Sequence, residues 1–208
     1  MATAKKENPY HFTTGVGRAS YVNVFYPNDK GKYNITFLFP KSDADTVKKI
    51  QTAREAARIT LGPKKWGSAI PKPAFVVYDG DGVRPSDGMP FGDECKGMFV
   101  FTASCAAFDK KGNALPPPFV LKKLNGEIIK IIDTTEFYSG CYCRVSCNVF
   151  AYNVEGKKGL GLGLNSMFFV RDGERLDNRV DPETDWANAE DSEIESDFSN
   201  NTESDFLG

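Results

Sequence analysis

Residues 141–154, CYCRVSCNVFAYNV, alternate with a period of two over their whole length. The odd positions Cys141, Cys143, Val145, Cys147, Val149 and Ala151 are small and apolar. The even positions Tyr142, Arg144, Ser146, Asn148, Phe150 and Tyr152 mix aromatics, a cation and hydrogen-bonding groups. A strand with one face on a core meets that period and a helix does not. Glu155-Gly156-Lys157-Lys158-Gly159 then turns the chain into LGLGLNSMFFV, residues 160–170, which predicts an antiparallel hairpin. In Gly159-Leu160-Gly161-Leu162-Gly163-Leu164 the alternation puts the leucines on the core face. The glycines form a bare face that another backbone or a flat base can approach closely. The run is neither G-x-G-x-x-G nor a Walker loop, and no helix or Lys-Ser/Thr follows it.

The preceding sequence extends this β pattern. Residues 16–26, VGRASYVNVFY, read as a strand, and Pro27-Asn28-Asp29-Lys30-Gly31 supplies turn chemistry. Residues 32–39 return with Tyr33, Ile35, Phe37 and Phe39 on one face and Lys32, Asn34 and Thr36 on the other. Ser42 or Asp43 can cap a helix running to about Thr60, with Gly62-Pro63 as its stop and Val47, Ile50, Ala53, Arg54, Ala57 and Leu61 as its packing stripe. Residues 62–96 are rich in Gly and Pro and read as a long excursion. A third strand is expected at 97–108. After Pro116-Pro117-Pro118, FVLKKLNGEIIKII is an extended piece with a turn at Asn125-Gly126. A helix between the second and third strands of a mostly antiparallel chain fits a small barrel or a sandwich, and the expected fold is mainly β: an OB-like small barrel with one helix inserted between strands.

Charge divides the chain. Residues 181–208 hold ten acids and no Lys or Arg, with few apolar side chains. The chain has 26 basic and 28 acidic residues, so residues 1–180 carry 26 against 18, an excess of eight positive charges. This predicts a basic domain over 1–180 followed by a disordered acidic C-terminal tail over 181–208. A basic body suits a polyanionic partner, and a tethered polyanion competes for the same surface. The start, MATAKKENPYHF, lacks an apolar leader core, no run reaches membrane-span length, and the five cysteines are odd in number. These features predict reduced thiols in a cytoplasm, with no membrane partner.

The even face of 141–154 offers rings for base stacking and a cation for phosphate, the mixture that single-stranded nucleic acid requires. Tyr142, Arg144, Asn148, Phe150 and Tyr152 are its candidate contacts. Lys157 and Lys158 in the turn, Lys64-Lys65-Trp66 after the helix, and Arg18 and Lys32 on the first two strands complete the candidate set. The alternatives are a solvated sheet face or a homodimer contact. Cys141-x-Cys143-x-x-x-Cys147 is strung along one strand face, which suits a core and not a zinc site. Asp79-Gly80-Asp81-Gly82 lacks the rest of a calcium loop and reads as a turn. His11 is the only histidine, and the carboxylates of the body sit mainly in turns and on the helix. No metal, no cofactor and no enzymatic activity are expected. A metal-dependent nuclease and a structural or assembly protein are the competing readings.

Several segments together resemble a phage single-stranded DNA-binding family, long catalogued as a domain of unknown function. They are residues 35–43 (ITFLFPKSD), Tyr78-Asp79-Gly80-Asp81, Tyr138-Ser139-Gly140-Cys141-Tyr142, Ala151-Tyr152-Asn153, and Lys158-Gly159 leading to Gly163-Leu164-Asn165. The resemblance runs from about residue 14 to 176; region 105–137 matches less well and contributes no site residues. It implies an OB-fold core, sequence-independent binding of single strands in phage replication or recombination, and a location in the bacterial host cytoplasm. The tail also resembles the acidic tails of phage and bacterial single-strand binders, which end on an aromatic. Asp205-Phe206 matches that pattern and Leu207-Gly208 departs from it. Such a tail implies recruitment of replication proteins such as a polymerase, primase or helicase, and autoinhibition.

Overall fold

The computed structural model describes residues 8–68, 70 and 72–176. The expected domain limit at 180 and the acidic tail, with Asp205 and Phe206, lie outside the described residues. Ten strands and two helices follow in chain order: β1 His11–Thr13, β2 Gly17–Asn23, β3 Lys32–Pro40, α1 Ala44–Thr60, α2 Gly62–Trp66, β4 Ala74–Phe75, β5 Val77–Asp79, β6 Met98–Ala106, β7 Phe119–Leu124, β8 Glu127–Lys130, β9 Tyr142–Val154 and β10 Lys157–Arg171.

Five of the strands close a ring. β2 pairs with β3, β3 with β6, β6 with β10, β10 with β9, and β9 with β2. In chain order the ring runs first, second, third, fifth, fourth. Every neighbour is antiparallel except β6 and β10, which run parallel at Gly163 and Ser104. This is the five-stranded Greek-key barrel of the OB type. The expected helix lies between the second and third barrel strands. β7 and β8 extend the sheet from β10 as a hairpin. Asn125 and Gly126 both take positive φ at its tip, which a two-residue primed turn requires.

The core forms where the alternation puts it. Cys141, Cys143, Val145, Cys147 and Val149 are buried against Leu160, Leu162 and Leu164 from β10 and Ile35, Phe37 and Phe39 from β3. Phe101 of β6 packs on Phe37 with ring centroids 5.3 Å apart. α1 lays Ile50, Ala53 and Ala57 on this core. Its cap is Asp43, whose side chain accepts from Thr46 N–H at 3.0 Å. Thr46, rather than Val47, is fully buried at that end, because its hydroxyl donates to Asp43 and accepts from the Gly15 N–H.

Three expected boundaries change. α1 ends at Thr60 as expected, but Gly62-Pro63 opens a second short helix instead of leaving the helical region. Proline is tolerated in the first turn of a helix, so α2 starts there, and the stop falls at Gly67 with φ 75°. The β9–β10 turn is the two residues Glu155-Gly156, both at positive φ, so β10 starts at Lys157. The 62–96 excursion is partly woven into the barrel: β4 runs parallel to β10, and β5 antiparallel to β6. A 3-10 turn at Asp93–Cys95 then caps a second small cluster in which Leu38, Cys95 and Val100 are buried, with Phe91, Met98 and Leu176 packed on it. No helix among the described residues is long and apolar enough to cross a membrane.

Candidate nucleic-acid interface

The even residues of β9 point away from the core, and their neighbours divide them. At the far end from the turn, Tyr142 lies under the Arg171 guanidinium, 3.5 Å from the ring centroid, and beside Gly173. Arg144 is exposed. Mid-strand, Ser146 and Asn148 belong to a polar net. Asn148 donates to Asn165 at 2.9 Å, and the Ser146 hydroxyl pairs with His11 Nε2 at 2.9 Å. Near the turn, Phe150 is 43 % exposed. Its ring and that of Tyr152 reach across β10 and cover the glycines opposite them. The bare glycine face expected from sequence is therefore occupied by the protein's own aromatics.

The cations also divide. Lys32, Lys64, Lys65 and Lys157 are exposed. Lys158 donates to the Trp66 carbonyl at 3.0 Å, and Arg18 donates to the carbonyls of Gly140 and Glu174, at 3.2 and 2.6 Å. These two side chains tie segments of the body together. Trp66 is only 5 % exposed, and its indole N–H donates to the Tyr152 carbonyl at 2.8 Å. The α2 helix end thereby docks on the barrel, and the buried ring has no face free for a base.

In barrels of this topology, oligonucleotides bind across the second and third strands and the loops joining the first to the second and the fourth to the fifth. Here those parts are the outer faces of β3 and β6, residues 24–31, and the Glu155-Gly156 turn. The outer face holds a groove of about 340 Å³, lined by Ser20, Tyr21, Thr36, Leu38, Tyr78, Arg84, Phe91, Val100 and Thr102 among others. Thr36 and Thr102 are cross-strand partners with hydroxyls 3.0 Å apart on its floor. Tyr78 enters from β5. Burial, then the nearby Tyr152 phenol, raises its pKa above the ordinary tyrosine value. Arg84 forms an ion pair with Asp87 at 3.0 Å, and Glu94 also lines the groove, so its own charge is mixed.

Tyr21 is the exceptional residue of this face. It is 69 % exposed and has φ 45°, at an irregularity between Ser20 and Asn23 in the β2–β3 register. A bulky residue in the left-handed region is strained, and such strain is kept where surrounding structure or function demands it. Tyr26, 73 % exposed, stands in the adjoining loop near Lys30 and Lys32. Sequence reasoning missed Tyr21 and Tyr78. Alternation around Thr36 showed an outward face on β3, but no local pattern ranks one outer face of a barrel above another.

The Asp79 and Asp81 carboxylates both clasp the Lys41 ammonium, at 2.5 and 2.6 Å. Hydrogen bonds from Lys41 hold both acids below the usual carboxylate range. The turn thus closes on a lysine. The core cysteines are pushed the other way: burial lifts the Cys141 thiol to about 11 and raises Cys143 and Cys147 well above the ordinary thiol value.

The family model described as "Enterobacter phage Enc34, ssDNA-binding protein" matches residues 10–199. Among solved structures, the single-stranded DNA-binding protein from bacteriophage Enc34 is 24 % identical with a TM-score of 0.61, over 88 % of this chain and 97 % of that one. The same phage protein in complex with ssDNA is 25 % identical with a TM-score of 0.61, over 84 % of this chain and 97 % of that one. Gp2.5, a single-stranded DNA-binding protein of bacteriophage T7, shares the fold at 19 % identity and a TM-score of 0.53, over 86 % of this chain and 93 % of that one. No curated protein matches the sequence.

Proposed function

The chain belongs to the family of the Enterobacter phage Enc34 ssDNA-binding protein, and from that premise we propose that it coats single-stranded DNA without reading its sequence, during phage replication or recombination. The observation that supports this most is the outer face of the barrel. Tyr21 and Tyr78 line the β3–β6 groove, Phe150 and Tyr152 lie on β10 near the β9–β10 turn, and in this reading the four rings border one path. Bases stack on these rings, and Lys32 and Lys157 at the two loops meet phosphates. Lys64 and Lys65 on α2 prolong the cationic border. Tyr142 and Arg144 lie at the opposite end of β9 and are secondary candidates. The protein works by binding alone, so labelled DNA incubated with it and Mg²⁺ or Mn²⁺ stays intact.

A duplex hides its base faces, so a path built on stacking rewards single strands only. Oligo-dT is expected to bind more tightly than a duplex of equal length. The log–log salt slope should be about −0.7 for each phosphate neutralised. Gel shifts against single-stranded, double-stranded and RNA oligomers at two salt concentrations test this. Equal affinity for duplex and single strand would remove stacking from the mechanism.

The tail, residues 181–208, is proposed to recruit replication proteins and to compete for the same path. The support is charge and place. The tail's ten acids follow a body with an excess of eight positive charges. The last described segment is pinned beside the groove: the Leu176 N–H donates to the Ser139 carbonyl at 2.9 Å, and its side chain packs on the cluster of Leu38, Cys95 and Val100. A chain tethered there reaches the path at an effective concentration of roughly millimolar order. Deleting 181–208 is expected to raise affinity for oligo-dT, more so at about 50 mM than at about 200 mM salt, where screening is stronger. Unchanged affinity at both would leave the tail with recruitment alone.

A further inference from the structure

We propose that Gly159 and Gly161 are positioning residues, whose missing side chains let Tyr152 and Phe150 lie down on β10 as a preformed platform for nucleobases. The inference rests on the reading of this face as a single-strand interface, and adds how its stacking surface is made. Residues opposite each other on paired strands share a face, and here Tyr152 faces Gly159 and Phe150 faces Gly161. A Cβ added at Gly161 would lie 2.7 Å from Phe150 Cζ and 3.1 Å from both Cε atoms. One added at Gly159 would lie 2.6 Å from Tyr152 Cζ. Each ring therefore occupies the volume that any other residue would fill with its own side chain.

A ring that rests on a glycine keeps its opposite face for solvent, and Phe150 is 43 % exposed although it covers the neighbouring strand. The support beneath is rigid. Leu160 and Leu162 are buried on the other side of the same strand, and the Trp66 indole holds the Tyr152 carbonyl at 2.8 Å. A ring held in place needs little further ordering when a base stacks on it, which is how preorganisation converts to affinity. Gly163 differs. A Cβ there meets nothing nearer than 3.6 Å, so the third glycine of the run is not required by the platform.

A double-mutant cycle tests this, read by fluorescence titration with oligo-dT and by thermal melts. Phe150→Ala is expected to weaken binding roughly five- to 150-fold, the range of one lost base stack. Gly161→Ala should weaken it to a similar extent, because the displaced ring no longer presents its face. In the Phe150→Ala background, Gly161→Ala should change affinity less than about twofold, since coupled residues are not additive. Gly163→Ala should bind as wild type. Wild-type affinity in folded Gly161→Ala, with Phe150→Ala impaired, would overturn the proposal and leave single-strand binding intact. So would fully additive losses, or a lower melting temperature with affinity unchanged, which mark a purely structural glycine. Wild-type affinity in Phe150→Ala alongside impaired Tyr21→Gly would remove this platform from the path. Absence of oligo-dT binding by the wild-type protein would overturn the functional reading itself. Should Gly161→Ala not fold, the Gly159→Ala and Tyr152→Ala cycle makes the same test one turn of the pleat away.

Discussion

Tyr21→Gly is expected to bind oligo-dT more weakly by about 1–3 kcal/mol while its folding stability holds or rises by up to about 1 kcal/mol. The two directions have one cause. Tyr21 stands with φ 45° on the rim of the β3–β6 groove, and most of its ring is in solvent. Glycine adopts that backbone without the steric penalty a side chain incurs, although it also loses more freedom on folding. Little packing disappears with an exposed ring, so binding is what the substitution removes. Tyr142→Ala and Arg144→Ala, at the far end of β9, should lose less affinity than Tyr21→Gly and serve as contrasts. Isothermal titration for affinity, with urea unfolding for stability, reads both quantities. A Tyr21→Gly protein with wild-type affinity, together with strongly impaired Tyr142→Ala and Arg144→Ala, would move the DNA path to the other end of β9.

The second large effect is on stability at alkaline pH. Cys143 and Cys147 are buried among Val145, Val149 and the β10 leucines, and burial raises both thiols well above their ordinary value of 9.0. Once unfolded, both ionise near that ordinary value. Above about pH 9 the unfolded chain therefore holds fewer protons than the folded one, and stability falls as pH rises. Below it both states are protonated and these groups contribute no slope. Each thiol costs about 1.4 kcal/mol per pH unit above that point, so the pair costs about 3 kcal/mol per unit. Two units then consume a large share of the roughly 5–15 kcal/mol of a typical domain. Cys143→Ala/Cys147→Ala is expected to be less stable than wild type at about pH 8, by the cavity it creates. Its stability should nevertheless decline more slowly between about pH 9 and 11. Urea unfolding across that interval gives both slopes. Parallel slopes would mean that the two thiols ionise in the folded protein.

The period-two pattern of 141–154 was enough to decide which cysteines enter the core, because a half-buried strand can bury only one parity of its residues. It likewise marked β10's leucines as core, and the cap at Asp43 and the Asn125-Gly126 turn followed from local chemistry. Such features are legible because they depend on neighbours a few residues away. Trp66 was not. Its place beneath the β9–β10 hairpin depends on a carbonyl 86 residues further along the chain. Arg18 is similar: its partners lie 122 and 156 residues away, and they make it a tie between segments instead of a phosphate ligand.

Alternation, turn chemistry and charge thus determined by themselves a mainly β chain with a helix between its second and third strands, a set of core residues, and a basic stretch followed in sequence by an acidic one. The tertiary structure alone decided which part of the barrel's outside is a candidate interface. Every outward strand position looks alike in sequence, since alternation separates inside from outside and says nothing about direction around a closed ring. Closure brings β6 beside β10 and gathers Tyr21 of β2, Thr36 of β3, Tyr78 of β5 and Thr102 of β6 around one groove. The glycines show the same limit. Their absence of side chains was visible in sequence, but only cross-strand register showed that Phe150 and Tyr152 fill the space, because register is a relation between two strands and belongs to neither alone.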